Sequence, residues 1–376
     1  MAGIYIHVPF CKTRCIYCDF YTRTDMSSKH KYISAICDEI ELRKDYIGDE
    51  IIETIYFGGG TPSQLTKDDF EQIFASIYRN FKVSADAEIT MEANPEDLND
   101  KYLQMIREFP FNRLSIGIQS FDDSELLFLK RRHSSQKAKE AVKSAKYSGF
   151  NNISIDLMYG LPNQTLDIWN KNLKEALALD IQHISSYHLI YEQGTRLYRL
   201  FTLGDVKPVE EDLSVEMFST MIDTLSLAGF EHYEISNFAK NKLYSKHNSS
   251  YWLGKKYLGL GPAAHSFDGQ NRAWNIPSIS KYTEGINLRK LPLDIEYLDK
   301  NTRYNDFILT GMRTMWGVNL KELESLFGSQ RKEYCLKNVR KYVNQGFVSQ
   351  SDDKLKLTRE GIFISDGIMS DLMWVD

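Results

Sequence analysis

The chain opens with Gly3-Ile-Tyr-Ile-His-Val-Pro-Phe-Cys11-Lys-Thr-Arg-Cys15-Ile-Tyr-Cys18-Asp-Phe20. Residues 4–8 are rich in β-formers. They lead directly into a loop whose cysteines are spaced C-x3-C-x2-C. A strand feeding a functional loop is how a β/α unit begins, and the unit repeats outward from here. β-rich runs follow at 53–57, 87–92, 113–118, 152–158 and 183–190. Helical patterns lie between them. Ile33, Ile36, Cys37 and Ile40 fall at i, i+3, i+4, i+7; Phe70, Ile73, Phe74 and Ile77 repeat that spacing behind Thr66 and Asp69, a capping pair. Further helices are predicted over 100–109, 135–147, 166–179 and 210–227, two of them stopped by Gly149 and Gly229. Strands alternating with helices predict a parallel sheet. Eight strands would close a full barrel. With six, the expectation for 1–235 is an α/β partial (β/α)6 barrel, and an open doubly wound sheet is the alternative.

Beyond Phe238 the alternation stops. Residues 247–265 are rich in Gly and aromatics, and Pro277 and Pro292 interrupt the next stretch, so 236–300 is predicted as an irregular extension with short strands. Helices return over 302–315, 320–327 and 331–344, then two short strands at 347–350 and 354–357 and a last helix from Gly361. This predicts a small helical, winged-helix-like domain over 301–376. Its helix 331–344 carries Arg331, Lys332, Lys337, Arg340 and Lys341, which reads as a solvated face rather than a DNA contact.

Composition narrows the function. The 376 residues suit two or three domains. There are 46 Lys and Arg against 51 Asp and Glu, a net charge of −5, so no global basic field gathers nucleic acid. No apolar run is long enough for a membrane span. The first ten residues lack the basic region of a signal peptide. A cytoplasmic location with at most peripheral membrane contact is expected. The five cysteines are an odd number and three crowd into one loop, which argues against a disulfide framework and for a reduced thiolate site. Cys37 and Cys335 lie on apolar helix faces and read as inert.

Three thiolates on one loop suit a soft metal. A structural zinc wants four ligands, with Asp19 or His7 available as the fourth. A [4Fe–4S] cluster usually takes four cysteines, so three leave one iron open for a small ligand. The other strand ends test this independently, because functional groups of a parallel barrel sit at the C-terminal ends of its strands. Those ends read Gly58-Gly-Gly-Thr61-Pro62, Glu92-Ala-Asn94-Pro95, Gly117-Ile-Gln119-Ser120, Asp156 with Tyr159-Gly-Leu-Pro162, and His188-Leu-Ile190. Each alone is a plausible turn or cap. Together they outline a site for a ligand with amine, carboxylate and ribose hydroxyls.

These motifs resemble the radical S-adenosylmethionine superfamily. Within it they resemble the oxygen-independent coproporphyrinogen III oxidase family, and most closely its HemW-type heme chaperone branch. The resemblance rests on Tyr5-Ile-His-Val-Pro-Phe-Cys11, Cys15-Ile-Tyr-Cys18-Asp-Phe20, Tyr56-Phe-Gly-Gly-Gly-Thr-Pro62 and Glu92-Ala-Asn-Pro95. It continues through Arg113-Leu-Ser-Ile-Gly-Ile-Gln119-Ser-Phe121, Asp156-Leu-Met-Tyr-Gly-Leu-Pro162 and His247-Asn-Ser-Ser-Tyr-Trp252, and covers nearly the whole chain. It implies a radical-SAM barrel with a [4Fe–4S] cluster on Cys11, Cys15 and Cys18. It also implies S-adenosylmethionine on the open iron, cleaved on reduction to a 5′-deoxyadenosyl radical. The cofactor contacts it implies are Tyr5, Tyr17, Gly59, Gly60, Thr61, Glu92, Gln119, Arg131, Asp156 and Ile190. Glu92 suits the ammonium, Arg131 the carboxylate and Asp156 the ribose. Arg131 is followed by Arg132, and either could be a surface charge.

The branch follows from one position. The oxidase pattern has a further cysteine two residues after the third; here that residue is Phe20, which cannot bind metal. The chain also begins almost at the first strand, without the long extension expected of the oxidase branch. The resemblance therefore implies a heme chaperone that binds heme and passes it to hemoproteins of the respiratory chain, with an electron donor for the cluster. Oxygen-independent decarboxylation of coproporphyrinogen III to protoporphyrinogen IX is the alternative. A third possibility is a binding module with zinc in the loop and nucleic acid on the C-terminal domain. His247 is the candidate heme ligand, since a neutral imidazole can bind heme axially and Tyr251 and Trp252 can pack on a porphyrin. A histidine in an aromatic core is the plainer reading. His188 and His265 compete for the ligand role, and His7 is expected to sit behind the cluster.

Overall fold

The computed structural model describes residues 2–375. Strands β1 (Ala2–Val8), β2 (Ile52–Gly59), β3 (Val83–Ala93), β4 (Arg113–Gln119), β5 (Ile153–Tyr159) and β6 (His183–His188) lie side by side in chain order, each parallel to the next. This is the expected partial barrel. One face of every strand is aliphatic: Ile4, Ile6 and Val8 on β1, Leu114 and Ile116 on β4, and Ile153, Ile155 and Leu157 on β5 are all buried. That face packs on the crossover helices through Tyr32, Ile33, Ile36, Phe70 and Ile73. The period-2 complement is polar: Tyr5 and His7, Thr54 and Tyr56, Glu88 and Glu92, Arg113 and Ser115, Ser154 and Asp156. A closed barrel fills its interior with branched aliphatics. Here the inner face is reserved for polar chemistry.

The extension holds the short strands expected of it, and with a strand just before residue 236 they form both edges of one twelve-stranded sheet. The hairpin β7 (Glu231–Glu234) and β8 (Asn237–Ala239) pairs antiparallel to β6. On the other side β9 (Lys256–Leu260) pairs parallel to β1, followed by antiparallel β10 (His265–Phe267), β11 (Asn271–Asn275) and β12 (Leu293–Tyr297). Strands this short show no readable alternation. Leu258, Leu260, Tyr282 and Ile286 join the barrel's own core. A buried ion pair, Arg43–Glu39 at 3.2 Å, ties the first crossover helix to this edge. Arg43 Nη1 donates to the Gly259 carbonyl (2.9 Å), and Glu39 Oε2 accepts from the Gly261 amide (2.9 Å) and the Tyr282 hydroxyl (2.7 Å). The helix Lys246–Trp252, capped by the buried Ser245, packs on β1 and β2.

The C-terminal segment has a separate core around Tyr304, Ile308, Leu323, Val339, Leu355 and Leu372. Helices Lys300–Met312, Leu320–Phe327 and Ser329–Asn344 surround a small sheet of β13 (Val318–Asn319), β14 (Val348–Ser351) and β15 (Lys354–Leu357). The first helix ends three residues before the expected 315. Thr314 instead bridges to Glu234, and the Met315 amide donates to the Tyr233 carbonyl at 2.9 Å. Two of the five basic residues on the helix are ion-paired, Lys332 with Glu324 (2.6 Å) and Lys341 with Asp371 (2.5 Å), and Arg331 lies over the Trp374 ring. Among the described residues no helix is long and apolar enough to cross a membrane.

A candidate cluster and cofactor cavity

The cysteine loop is pinned at both ends. At its base the Cys11 amide donates to the Arg23 carbonyl (2.9 Å) and the Arg23 amide to that of Pro9 (2.7 Å). Midway, Ile16 anchors it in a small apolar cluster with Leu129, Met158, Leu161, Leu189 and Leu197. Cys11, Cys15 and Cys18 are free thiols facing one cavity of about 490 Å³. Thr61 Oγ1 donates to Cys11 Sγ at 3.2 Å, and Arg131 Nη1 to Cys15 Sγ at 3.5 Å. Burial pushes the Cys18 thiol up to about 11. Burial raises Cys11 too, against the opposing bond from Thr61. Three convergent free thiols on one loop fit ligation of a soft metal.

The opposite walls carry the expected polar groups. Glu92 Oε1 accepts from the Tyr56 hydroxyl (2.8 Å) and Oε2 from the Gly59 amide (3.1 Å). Burial, reinforced by the charge of Asp156, still pushes its carboxyl up to about 7. Burial likewise lifts Asp156 to about 6, opposed first by the Arg113 charge. Arg131 donates through Nη2 to Asn94 Oδ1 (2.6 Å) and the Gly117 carbonyl (2.5 Å), while its buried Nε has no partner among the described residues. Arg131 is therefore not a surface charge, whereas Arg132 pairs with Glu96 at 3.3 Å and does not line the cavity. Gln119 ends β4 at a register shift with φ of 73°, a left-handed conformation that aims it into the cavity wall. Tyr17, Thr61, Gly59, Gly60 and Ile190 also line the cavity. A carboxylate for an ammonium, a guanidinium for a carboxylate and a second carboxylate for hydroxyls stand around a three-thiol loop. These residues fit a cluster together with a cofactor bearing an amino-acid headgroup.

Two expectations, those for Tyr5 and His247, need correction. At Gly60 a Cβ would lie 2.6 Å from the Val8 carbonyl oxygen and 2.9 Å from that of Phe10. At Gly59, with φ of +98°, a Cβ would lie 2.4 Å from His7 Nδ1. Both glycines let β2 close on the start of the cysteine loop, and they reach the cavity only through their backbone. Tyr5 is not in the cavity lining; it stacks beneath, against Tyr56 and His247. His247 is also elsewhere. It is only 1% exposed, and both its nitrogens are engaged, Nδ1 with Thr54 Oγ1 and Nε2 with the Tyr251 hydroxyl, each at 2.8 Å. Burial pushes it down to about 3, so it is neutral. An axial ligand needs an open face, and this ring has none. His7 is equally spent, on the Tyr5 hydroxyl (3.1 Å) and the Tyr21 carbonyl (2.9 Å), and braces the cysteine loop from behind. The zinc reading thereby loses one of its two candidate fourth ligands.

Sequence reasoning gave two residues no role of their own. Asn94 links Arg131 to Thr61, to which it donates at 3.3 Å; its place two residues after Glu92 was the available signal. Arg113, only 1% exposed on the polar face of β4, read merely as a strand start.

The parallel half-barrel with three thiols at its open end defines a radical S-adenosylmethionine protein. The model of the Radical SAM superfamily matches residues 5–176, and that of the HemN C-terminal domain matches 298–364. The Bacillus subtilis heme chaperone HemW is 32% identical, over 98% of this chain and 98% of its own. Radical S-adenosyl methionine domain-containing protein 1, mitochondrial, of Bos taurus is 31% identical, over 99% of this chain and 87% of its own. The structure of coproporphyrinogen III oxidase (HemN) from Escherichia coli superimposes with a TM-score of 0.86 at 21% identity, covering 99% of this chain and 90% of that one, a likeness of fold. The chain belongs to the HemW family of the radical S-adenosylmethionine superfamily.

Proposed function

We propose that this protein is a heme chaperone that carries a [4Fe–4S] cluster and S-adenosylmethionine and hands heme to hemoproteins. The full-length similarity to HemW chaperones supports the heme role. The observation that carries the cofactor reading is the cavity, with Cys11, Cys15 and Cys18 on one side and Glu92, Arg131 and Asp156 on the other. Cys11, Cys15 and Cys18 hold the cluster. Glu92 takes the ammonium of S-adenosylmethionine, Arg131 its carboxylate and Asp156 its ribose hydroxyls. Tyr17, Thr61, Gln119 and Ile190 shape the walls, and Gly59 and Gly60 offer backbone only. When bound, the cluster supplies one-electron chemistry to the cofactor. The chain's own residues orient the headgroup and keep the thiols from water.

Heme belongs at the cavity mouth, where Phe20 is 58% and Ile190 62% exposed. His188 lines the cavity there, its ring edge-on to Tyr159 at 5.1 Å and in a hydrogen bond with the Leu189 backbone. Phe20 lies where the oxidase pattern has its extra cysteine, which argues against coproporphyrinogen oxidation. The proposed division of labour is a barrel over 1–235, an extension over 236–300 and a C-terminal domain over 301–376. The proposed setting is cytoplasmic, with respiratory-chain hemoproteins as recipients, an electron donor, at most peripheral membrane contact and no nucleic acid.

The test is an anaerobic transfer assay from heme-loaded protein to an apo-hemoprotein, run beside iron and sulfide analysis. Transfer, with Cys11→Ala, Cys15→Ala and Cys18→Ala each losing the cluster, is the expected result. A His188→Ala variant should shift the Soret band. Robust protoporphyrinogen production without heme transfer overturns the chaperone reading, and stoichiometric zinc without sulfide overturns the cluster.

A further inference from the structure

The segment His247-Asn-Ser-Ser-Tyr-Trp252 has no role in the cavity, yet its histidine is among the most constrained side chains in the fold. The helix Lys246–Trp252 lies across the N-terminal ends of the strands, opposite the cysteine loop. The His247 amide donates to Glu88 Oε1 (3.1 Å), near the start of the polar face of β3. Its ring is fixed by Thr54 on β2 and by Tyr251 one turn along its own helix. On β1, Gly3 makes room: a Cβ there would lie 3.2 Å from His247 Nδ1 and 2.7 Å from Thr54 Oγ1.

The ring's upper contacts are two tyrosines. It stacks on Tyr56 with centroids 5.0 Å apart and planes at 24°, and on Tyr5 at 6.3 Å and 28°. Tyr56 passes the contact upward, its hydroxyl donating to Glu92 Oε1 at 2.8 Å. Tyr5 does so on the other side, through His7 to the Tyr21 carbonyl at the exit of the cysteine loop. A rigid, neutral ring thus sits under the two side chains that orient a cavity carboxylate and brace the thiol loop.

We propose that His247 is a positioning residue for the cofactor site, acting through Tyr56 on Glu92, and not a heme ligand. The proposal rests on the assignment of Glu92 to the S-adenosylmethionine ammonium. A flat ring held from both nitrogens fixes the Tyr56 ring, and a phenol fixed in this way holds one carboxylate oxygen. The other oxygen is then set by the Gly59 amide, so the carboxylate has one orientation before any ligand arrives. Tyr251 belongs to the same unit, as the group that locks the Nε2 side.

The test is S-adenosylmethionine binding to anaerobically reconstituted full-length protein, with cluster content and heme titration measured on the same samples. His247→Ala should weaken the cofactor Kd about tenfold, the size of one lost organised contact, with a full cluster and an unchanged Soret band. His247→Gln, which can keep a donor and an acceptor in place, should recover part of the loss. In a Tyr56→Phe background the histidine change should add little further, because the link to Glu92 is already cut. A general packing defect would instead add in full. Wild-type affinity in a folded, cluster-loaded His247→Ala overturns the proposal, and a lost or shifted Soret band in that variant returns His247 to heme ligation. Failure of the wild-type protein to bind S-adenosylmethionine at all overturns the cofactor reading instead, so the two failures are distinct.

Discussion

Glu92 and Asp156 are two carboxyls on adjacent walls of one cavity, held up to about 7 and about 6 by burial, with Asp156 adding to the effect on Glu92. An unfolded glutamate releases its proton near the usual 4.5, whereas folded Glu92 keeps it until about 7. The folded state therefore binds more protons in that window, and the ligand-free protein should lose stability as pH rises through it. Cofactor binding runs the other way, since an ammonium selects the ionised carboxylate. Its affinity should rise as pH increases toward 7, by roughly tenfold per unit while one proton must leave, and level off above. Glu92→Gln should flatten most of that slope. Calorimetric titrations at several pH values read it directly, and a flat wild-type profile would remove Glu92 from the ammonium. At this scale the sequence was generous. A carboxylate at a strand end is visible as Glu92-Ala-Asn-Pro95, and the thiol spacing is visible as it stands. It could not show that His247, with the same imidazole as His188, has both nitrogens spent 2.8 Å from partners at Thr54 and Tyr251. Thr54 is 193 residues away in the chain.

At the level of elements, the junction of β1, β2 and the cysteine loop depends on backbone approach more than on side chains. The Gly60 amide donates to the Val8 carbonyl at 2.8 Å, and that same oxygen stands 2.6 Å from where a Cβ would be. Backbone cannot yield as a side-chain tip does, so Gly60→Val should cost roughly 2–4 kcal/mol. Because Val8 to Phe10 lead into Cys11, cluster yield should fall with stability. Gly367, inside the helix Ser365–Leu372, has nothing within 4 Å of an added Cβ. Gly367→Ala should leave the cluster intact and add about 0.5–1 kcal/mol. Thermal melts with iron analysis compare the two, and equal melting temperatures would mean the junction is looser than the geometry implies. A glycine run in the sequence signals close approach of backbone, but it could not show that Val8 and Phe10 crowd Gly60 from behind. The same limit hid β9. Five residues with glycine among them carry no period, and only the parallel register with β1, Tyr5 opposite Gly259, reveals a strand.

Across the whole molecule, the C-terminal segment packs a core of its own, and its attachment to the barrel was not legible in the sequence. That attachment is a set of single contacts between distant residues. Arg359 donates to Ser219 Oγ and Asp223 Oδ2, each at 2.9 Å, and Phe363 meets Phe218 edge-on at 5.4 Å. Arg313 lies 5.1 Å over the Trp252 ring. This last contact matters most for function, because Trp252 ends the helix that His247 begins. One end of that helix supports the tyrosines under the cofactor cavity, and the other receives a cation from the C-terminal domain. A cation over an indole contributes about 0.5–2 kcal/mol. Trp252→Leu should therefore loosen the domain by that amount, as should Arg313→Met. The two together should cost little more than either, since each removes the same contact. Hydrogen exchange across Lys300–Met312 should speed up in all three variants, with the cluster retained. If exchange there stays at the wild-type rate, the domain is held by its other contacts, those of Arg359, Phe363, Thr314 and Met315 among them, and Trp252 does not link the C-terminal domain to the floor of the barrel.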